Sequence, residues 1–144
     1  MNELYEKTLI DHAKHPCNFG AIEDATHSAA GENPLCGDEL KLWLRAARDR
    51  IEAISFEGQG CAVCLGSASM MTAAAKGLSR GEIAGLMQRV RGLVRGQDDG
   101  SGLGDLAALS GVARFPARVK CALLAWTALE AALSDRSGAV STEL

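Results

Sequence analysis

Residues 39–58, ELKLWLRAARDRIEAISFEG, decide the fold. In the first half Leu40, Leu42 and Leu44 fall on one face and Lys41, Trp43 and Arg45 on the other. That alternation predicts a half-buried strand. IEAISFEG predicts a second strand, and the polar RDR between them predicts a hairpin. If Arg48–Arg50 form a three-residue loop, Leu44 faces Ile54, Leu42 faces Phe56 and Lys41 faces Glu57. Apolar then meets apolar and opposite charges meet. A slip of one residue sets Leu42 against Ser55 and Leu40 against Glu57, so the first register is the one predicted.

Helical patterns flank the hairpin. Leu4, Thr8 and Ile10–Asp11 recur at roughly helical spacing, predicting a first helix over 2–14 that Pro16 ends. Cys17 to Leu35 shows no periodicity and reads as loop. After the hairpin, CLGSASMMTAAAKG (64–77) predicts a helix of small side chains able to pack close to its neighbours, with Gly77 as C-cap. Ser79 and Glu82 form a capping box opening GEIAGLMQRVRGLVR. GQDDGSGLGD is a linker too short to divide domains. A last helix starts near Pro116 and runs to about Leu133. The expected architecture is α+β, a small antiparallel sheet packed against several helices. One domain would cover 1–133, with a flexible tail over 134–144.

The composition is ordinary for one globular domain: 144 residues, 47% hydrophobic and 23% charged. A formal charge of −3 leaves no basic footprint for nucleic acid. No apolar run approaches the roughly 18 residues of a membrane span. MNELYEKTLIDHAKHP is a charged amphipathic pattern without the apolar stretch of a signal peptide. The expected setting is cytoplasmic, away from membranes. In such a reducing compartment Cys17, Cys36, Cys61, Cys64 and Cys121 stay thiols, and an odd number of them argues against a complete disulfide framework.

Extended past the strand ends, the hairpin register sets Asp38 opposite Gly60 and Cys36 opposite Ala62. Cys61 then lands beside Cys36 and Asp38, although 24 residues of sequence lie between the two cysteines. Two thiols and a carboxylate at the open end of a hairpin make a metal-site donor set lacking a fourth ligand. Cys121 is the candidate fourth. It lies near the start of the last helix, where the helix dipole, Arg118 one turn back and the adjacent Lys120 would favour a thiolate. The alternative is a core thiol, since Leu124, Ala125 and Ala128 share that side.

NPLCGD, FEGQGCAVCLGSASMM and RVKCALLAWTALEAAL, with LIDHAKHPCNFG near the start, resemble the IscU/NifU-type iron–sulfur cluster assembly scaffold family. The likeness runs from residue 3 to about 133. It implies a compact α+β domain, with Cys36, Cys61 and Cys121 as the cluster-ligating and sulfur-accepting cysteines and Asp38 as the CGD aspartate. Most IscU-type members have histidine where this chain has Lys120. The interval between Cys61 and Cys121 is also longer, with extra residues around Ala84 to Gly104. Both features resemble the SUF-associated, SufU-like branch. That branch implies zinc held by Cys36, Asp38, Cys61 and Cys121, and persulfide sulfur taken from a SufS-like cysteine desulfurase. A 2Fe–2S iron–sulfur cluster is the transient alternative occupant. Recipient apo iron–sulfur proteins or other SUF components would follow downstream.

Three thiolates with one carboxylate bind zinc or iron tightly yet exchangeably, which suits transfer. Cys36, on the CGD loop, is the expected sulfur acceptor, with Arg118 and Lys120 as supporting charge. Two rivals remain at this level: a thiol–disulfide oxidoreductase using Cys61 and Cys64, and a purely structural zinc domain. Cys64 stands where the family commonly has serine and reads as a buried spectator. Cys17, in place of an arginine, reads as an exposed, incidental thiol. His12 and His15 read as surface histidines, and His27 carries no signal.

Overall fold

In the computed structural model, which describes residues 3–134 and 139–141, helix α1 (Glu3–Lys14) is followed by strands β1 (His27–Asn33), β2 (Asp38–Ala47) and β3 (Arg50–Gln59). Helices α2 (Ala62–Ala75) and α3 (Arg80–Leu93), a 3-10 segment (Gly104–Arg114), helix α4 (Pro116–Leu133) and strand β4 (Ala139–Ser141) complete the chain. The sheet order is β3-β2-β1-β4, with β1–β2 and β2–β3 antiparallel and β4 parallel to β1. The architecture is α+β. Of the tail expected over 134–144, residues 135–138 and 142–144 lie outside the described residues.

The predicted hairpin register holds, with Leu44↔Ile54, Leu42↔Phe56 and Lys41↔Glu57 paired. Its turn differs. Arg50 already pairs with Ala47, so the loop is the two residues Arg48 and Asp49, both at positive φ (52° and 66°). Such left-handed two-residue turns match the twist of the strands they join. A register shift at Arg45/Ala46 absorbs the odd residue and restores the predicted pairing beyond it.

The expected loop over 17–35 contains a correction. His27–Asn33 is an interior strand, paired to β2 from His27↔Leu44 to Asn33↔Asp38. Its residues, HSAAGEN, carry no β-branched or aromatic signal; alternate small or short residues are buried where α4 packs across β1. Upstream, the Gly20 N–H donates to the Phe56 carbonyl (2.8 Å) and the Phe56 N–H to the Asn18 carbonyl (3.0 Å). This segment covers the outer edge of β3, which would otherwise expose unpaired backbone groups.

The apolar face of β2 (Leu40, Leu42, Leu44) and Ile54 and Phe56 of β3 are buried with α2 and α4. Helix α2 has small residues because it is enclosed: a Cβ at Gly66 would lie 2.6 Å from Leu9 Cδ1 and 2.7 Å from the Leu9 carbonyl of α1. Across its other side the Ser67 hydroxyl donates to the Ala122 carbonyl (2.6 Å) and accepts from Trp126 Nε1 (3.1 Å), tying α2 to α4. Ser79 and Glu82 close the predicted capping box at the start of α3, and Pro116 opens α4. The 3-10 segment was not predicted; its Gly- and Ala-containing sequence has no strong period. Among the described residues no helix is long and apolar enough to cross a membrane.

Candidate metal centre

The β1–β2 turn, the end of β3 and the first part of α4 meet at one end of the sheet. Pro34 follows Asn33 at the first corner of the turn, the position its fixed φ suits. The Cys36 N–H donates to the Asn33 carbonyl (3.2 Å) and the Gly37 N–H to the Pro34 carbonyl (3.4 Å). Gly37 has φ +68°, which lets the chain re-enter β2 at Asp38. This is a short hydrogen-bonded turn, not the loose loop expected around CGD.

Asp38 is fully buried at the first position of β2, paired with Asn33. Its Oδ1 accepts from the Cys61 N–H (2.9 Å) and its Oδ2 from Asn33 Nδ2 (3.3 Å). The same Asn33 amide donates to Cys121 Sγ (3.4 Å). One ligand atom each from Cys36, Asp38 and Cys121 lies within 4.8 Å of the others. Tetrahedral zinc with bonds of about 2.3 Å to sulfur spaces its ligand atoms by about 3.8 Å, so modest closure of this group accommodates one ion. The amide hydrogens aimed at a sulfur and a carboxylate suit the anionic forms that a metal requires. Among the described residues Asn33 Oδ1 is buried without a hydrogen-bond partner.

Cys61 is placed differently from the other three. It is the N-cap of α2 with an extended backbone (φ −73°, ψ 164°), and its backbone, not its sulfur, is bound to Asp38. Its sulfur falls outside the close group. Asp38 lies beside Gly60 as the extended register requires, for a Cβ at Gly60 would meet Asp38 Cα at 3.0 Å. Cys61 still shares the electrostatic neighbourhood. The Arg118 guanidinium is held above its ordinary pKa, first by hydrogen bonding to Cys121 and then by the charges of Cys61, Cys121 and Cys36. Arg118 also reaches Cys36 Sγ at 3.8 Å. Lys120 sits one residue before Cys121, in α4.

Cys121 corrects an expectation. It stands five residues past Pro116 in α4 and is 0% exposed. Burial, then hydrogen bonding with Asp38 and Cys36, pushes its thiol above the ordinary value, where the dipole and the cations were expected to lower it. The helix dipole fades beyond the first turn, and desolvation wins. Cys64, wholly buried, is raised for the same first reason, with added charge from Asp38, Cys61 and Cys36.

Other residues move from their expected settings. Cys17 is only partly exposed, with its N–H donated to Ser69 Oγ (2.8 Å) and its carbonyl accepting from Thr72 (3.3 Å). His12 is no free surface histidine: Nδ1 meets Ser69 Oγ at 2.8 Å and Nε2 meets Asp105 at 2.9 Å, joining α1, α2 and the 3-10 segment. Asn33 was missed by the sequence reading. Its only signal was its place directly before the PLCGD turn.

Residues 4–122 match the model of the NifU-like N-terminal domain. The chain belongs to the NifU-like N-terminal domain family. It is 39% identical over 140 residues to the zinc-dependent sulfurtransferase SufU of Bacillus subtilis (strain 168), covering 96% of this chain and 95% of that protein. It is 38% identical over 141 residues to the iron–sulfur cluster assembly scaffold protein IscU of Streptococcus pyogenes serotype M1, covering 96% and 88%. Among solved structures, the SUF-system scaffold protein of Fervidobacterium islandicum AW-1 superposes with a TM-score of 0.83. That pair is 34% identical over 88% of this chain and 94% of the other. The resemblance read from NPLCGD, GQGC and RVKC is borne out. In this NifU-like domain, the close group Cys36, Asp38 and Cys121 comes from the β1–β2 turn, the start of β2 and helix α4.

Proposed function

We propose that this protein is an iron–sulfur cluster assembly scaffold of the SufU-like kind, holding zinc on Cys36, Asp38, Cys61 and Cys121 and taking persulfide sulfur from a cysteine desulfurase. The observation that carries this reading is the approach of the Cys36, Asp38 and Cys121 ligand atoms within 4.8 Å. Cys61 completes the set by turning its side chain inward while its N–H stays on Asp38. Zinc bound here supplies the Lewis acidity that keeps the sulfurs anionic near neutral pH. A nascent 2Fe–2S cluster, as cargo, would use the same ligands, and apo iron–sulfur proteins would receive it.

The chain's own residues divide the labour by exposure. Cys121 is out of a donor's reach, and Cys61 is anchored as a helix cap. Cys36 sits in a turn whose tip residue, Leu35, is 70% exposed, with open space around Gly37. The Cys36 thiolate attacks the outer sulfur of the donor's persulfide. A new S–S bond forms at Cys36, the donor's S–S bond breaks, and the donor cysteine leaves as thiolate. Arg118, beside Cys36, stabilises the anionic attacking sulfur. The test is persulfide mapping by mass spectrometry after incubation with desulfurase and cysteine, alongside X-ray absorption of the metal. The label is expected on Cys36, with about one zinc per chain in a shell of three sulfurs and one oxygen. A label mainly on Cys61, Cys64 or Cys121, or an all-nitrogen/oxygen shell, overturns the assignment.

A further inference from the structure

Cys64 has no part in the metal set, yet its place is specific. Cys61 is the N-cap of α2 and Cys64 is the third residue of the helix. In a helix, residues three apart have Cα atoms about 5 Å from each other. A disulfide spans Cα separations of about 4.4–6.8 Å, so the spacing of this pair falls within the range a disulfide bridges. Helical side chains lean toward the N-terminus, which points Cys64 back at Cys61. Cys61 is partly exposed and Cys64 fully buried, so an oxidant meets Cys61 first and Cys64 waits one turn beneath it. Cys61 also stands apart from the close ligand group, leaving its sulfur uncommitted until metal binds.

We propose that Cys61 and Cys64 form a redox pair: in the metal-free protein a peroxide joins them in a disulfide that withdraws Cys61 from the metal set. The Cys61 sulfur attacks the peroxide O–O bond, giving a sulfenic acid and one water. The Cys64 sulfur then displaces the hydroxyl, forming the S–S bond and a second water, so that two thiols are oxidised as one peroxide is reduced. A dithiol reductant reverses the step by exchange. Bound metal and disulfide exclude each other because both need the Cys61 sulfur. Cys64 thus protects an exposed ligand from irreversible oxidation while the site is empty. This consequence rests on the metal reading above; disulfide formation itself does not.

The experiment uses the full chain, stripped with chelator, treated with hydrogen peroxide, alkylated and digested with trypsin. The peptide Ile51–Lys76 contains Cys61 and Cys64 and no other cysteine. It is expected to run two hydrogens light, unalkylated and linked to nothing else, and to take up label at both cysteines after reduction. Zinc-loaded protein should not form the disulfide, and both thiols should stay free to be alkylated once the zinc is removed. Cys64→Ser, and independently Cys64→Ala, should convert the product to sulfinic or sulfonic acid at Cys61. Cross-linked peptides joining Cys36 to Cys121, or over-oxidised Cys61 in the wild type, overturn the proposal. Metal content measured before stripping is a separate readout: its absence would sink the metal reading and leave the thiol mapping to decide the pair alone.

Discussion

Gly60→Ala should damage the metal centre without removing a ligand. A Cβ at this position falls on Asp38 Oδ1 and comes within 3.0 Å of Asp38 Cα. Relieving that overlap moves the carboxylate by about 1 Å, since unbonded heavy atoms settle near 3.5 Å. Metal–ligand distances tolerate only about 0.2 Å, so Asp38 would leave the proposed coordination set, and its bond from the Cys61 N–H (2.9 Å) would go with it. Losing an outer-shell partner commonly weakens metal binding about 10–100-fold, or about 1.4–2.7 kcal/mol, and displacing the proposed ligand itself should cost at least that much. Gly60 also has φ +157°, so some strain accompanies the clash. Gly77→Ala is the control: Gly77 has φ +88°, with nothing within 4 Å of the added carbon and no part in the site. It should lower the melting temperature by a few degrees and leave zinc affinity within about threefold. The assay is zinc competition against a chromophoric chelator, with the melting of both apo variants measured in parallel. Zinc affinity of Gly60→Ala within about threefold of wild type would refute the placement of Asp38 in the metal set.

Two further outcomes follow from single contacts. Asn33→Ala removes the amide donors to Cys121 and Asp38 and should weaken zinc about tenfold, with Asn33→Asp worse because it adds an anion beside them; the same chelator competition reads both. Ser79→Ala breaks the capping box of α3 and should cost about 1 kcal/mol, lowering the melting temperature by about 2–4 °C while zinc content stays unchanged.

The sequence was legible where side-chain period and burial agreed. Leu40, Leu42 and Leu44 alternate because one face of β2 meets the core, and that alternation was enough to fix the hairpin pairing through to Asp38 and Gly60. β1 was illegible for a related reason. It lies inside the sheet with α4 packed across it, so small residues replace the β-branched and aromatic ones that announce a strand. The turn Arg48–Asp49 misled because neither residue is the glycine or asparagine usual at positive φ. At the site, the extended register placed Asp38 beside Gly60 and the Cys61 backbone, as found, but it grouped the Cys61 sulfur with Cys36 and Asp38 where Cys121 stands instead. Cys121 needed the family resemblance, because its helix position fits a core thiol equally well. Asn33 stayed hidden because its role depends on pairing with Asp38 across a turn, which no local pattern records. The raised Cys121 thiol was missed because sequence displays neighbouring charges but not burial, and burial outweighed them.

The proposed ligands are graded from the interior outward, and that gradient bears on the proposed transfer. Cys121 and Asp38 are fully buried and share the Asn33 amide, so they form a fixed wall. Cys36 and Cys61 are partly exposed, Cys36 in the β1–β2 turn and Cys61 at the cap of α2 with its N–H held on Asp38. Leu35, 70% exposed, and Phe115, 48% exposed, flank Cys36 and the Arg118 segment in sequence. A protein donor that covered them would approach the site from its exposed side. On the proposed function, sulfur delivered there would meet Cys36 before any other proposed ligand, and a departing metal or cluster would break its outer bonds to Cys36 and Cys61 first. Swapping the gradient, with the buried thiols on movable elements, would hold the same donor set yet block exchange, because release would then require opening the core beneath α4.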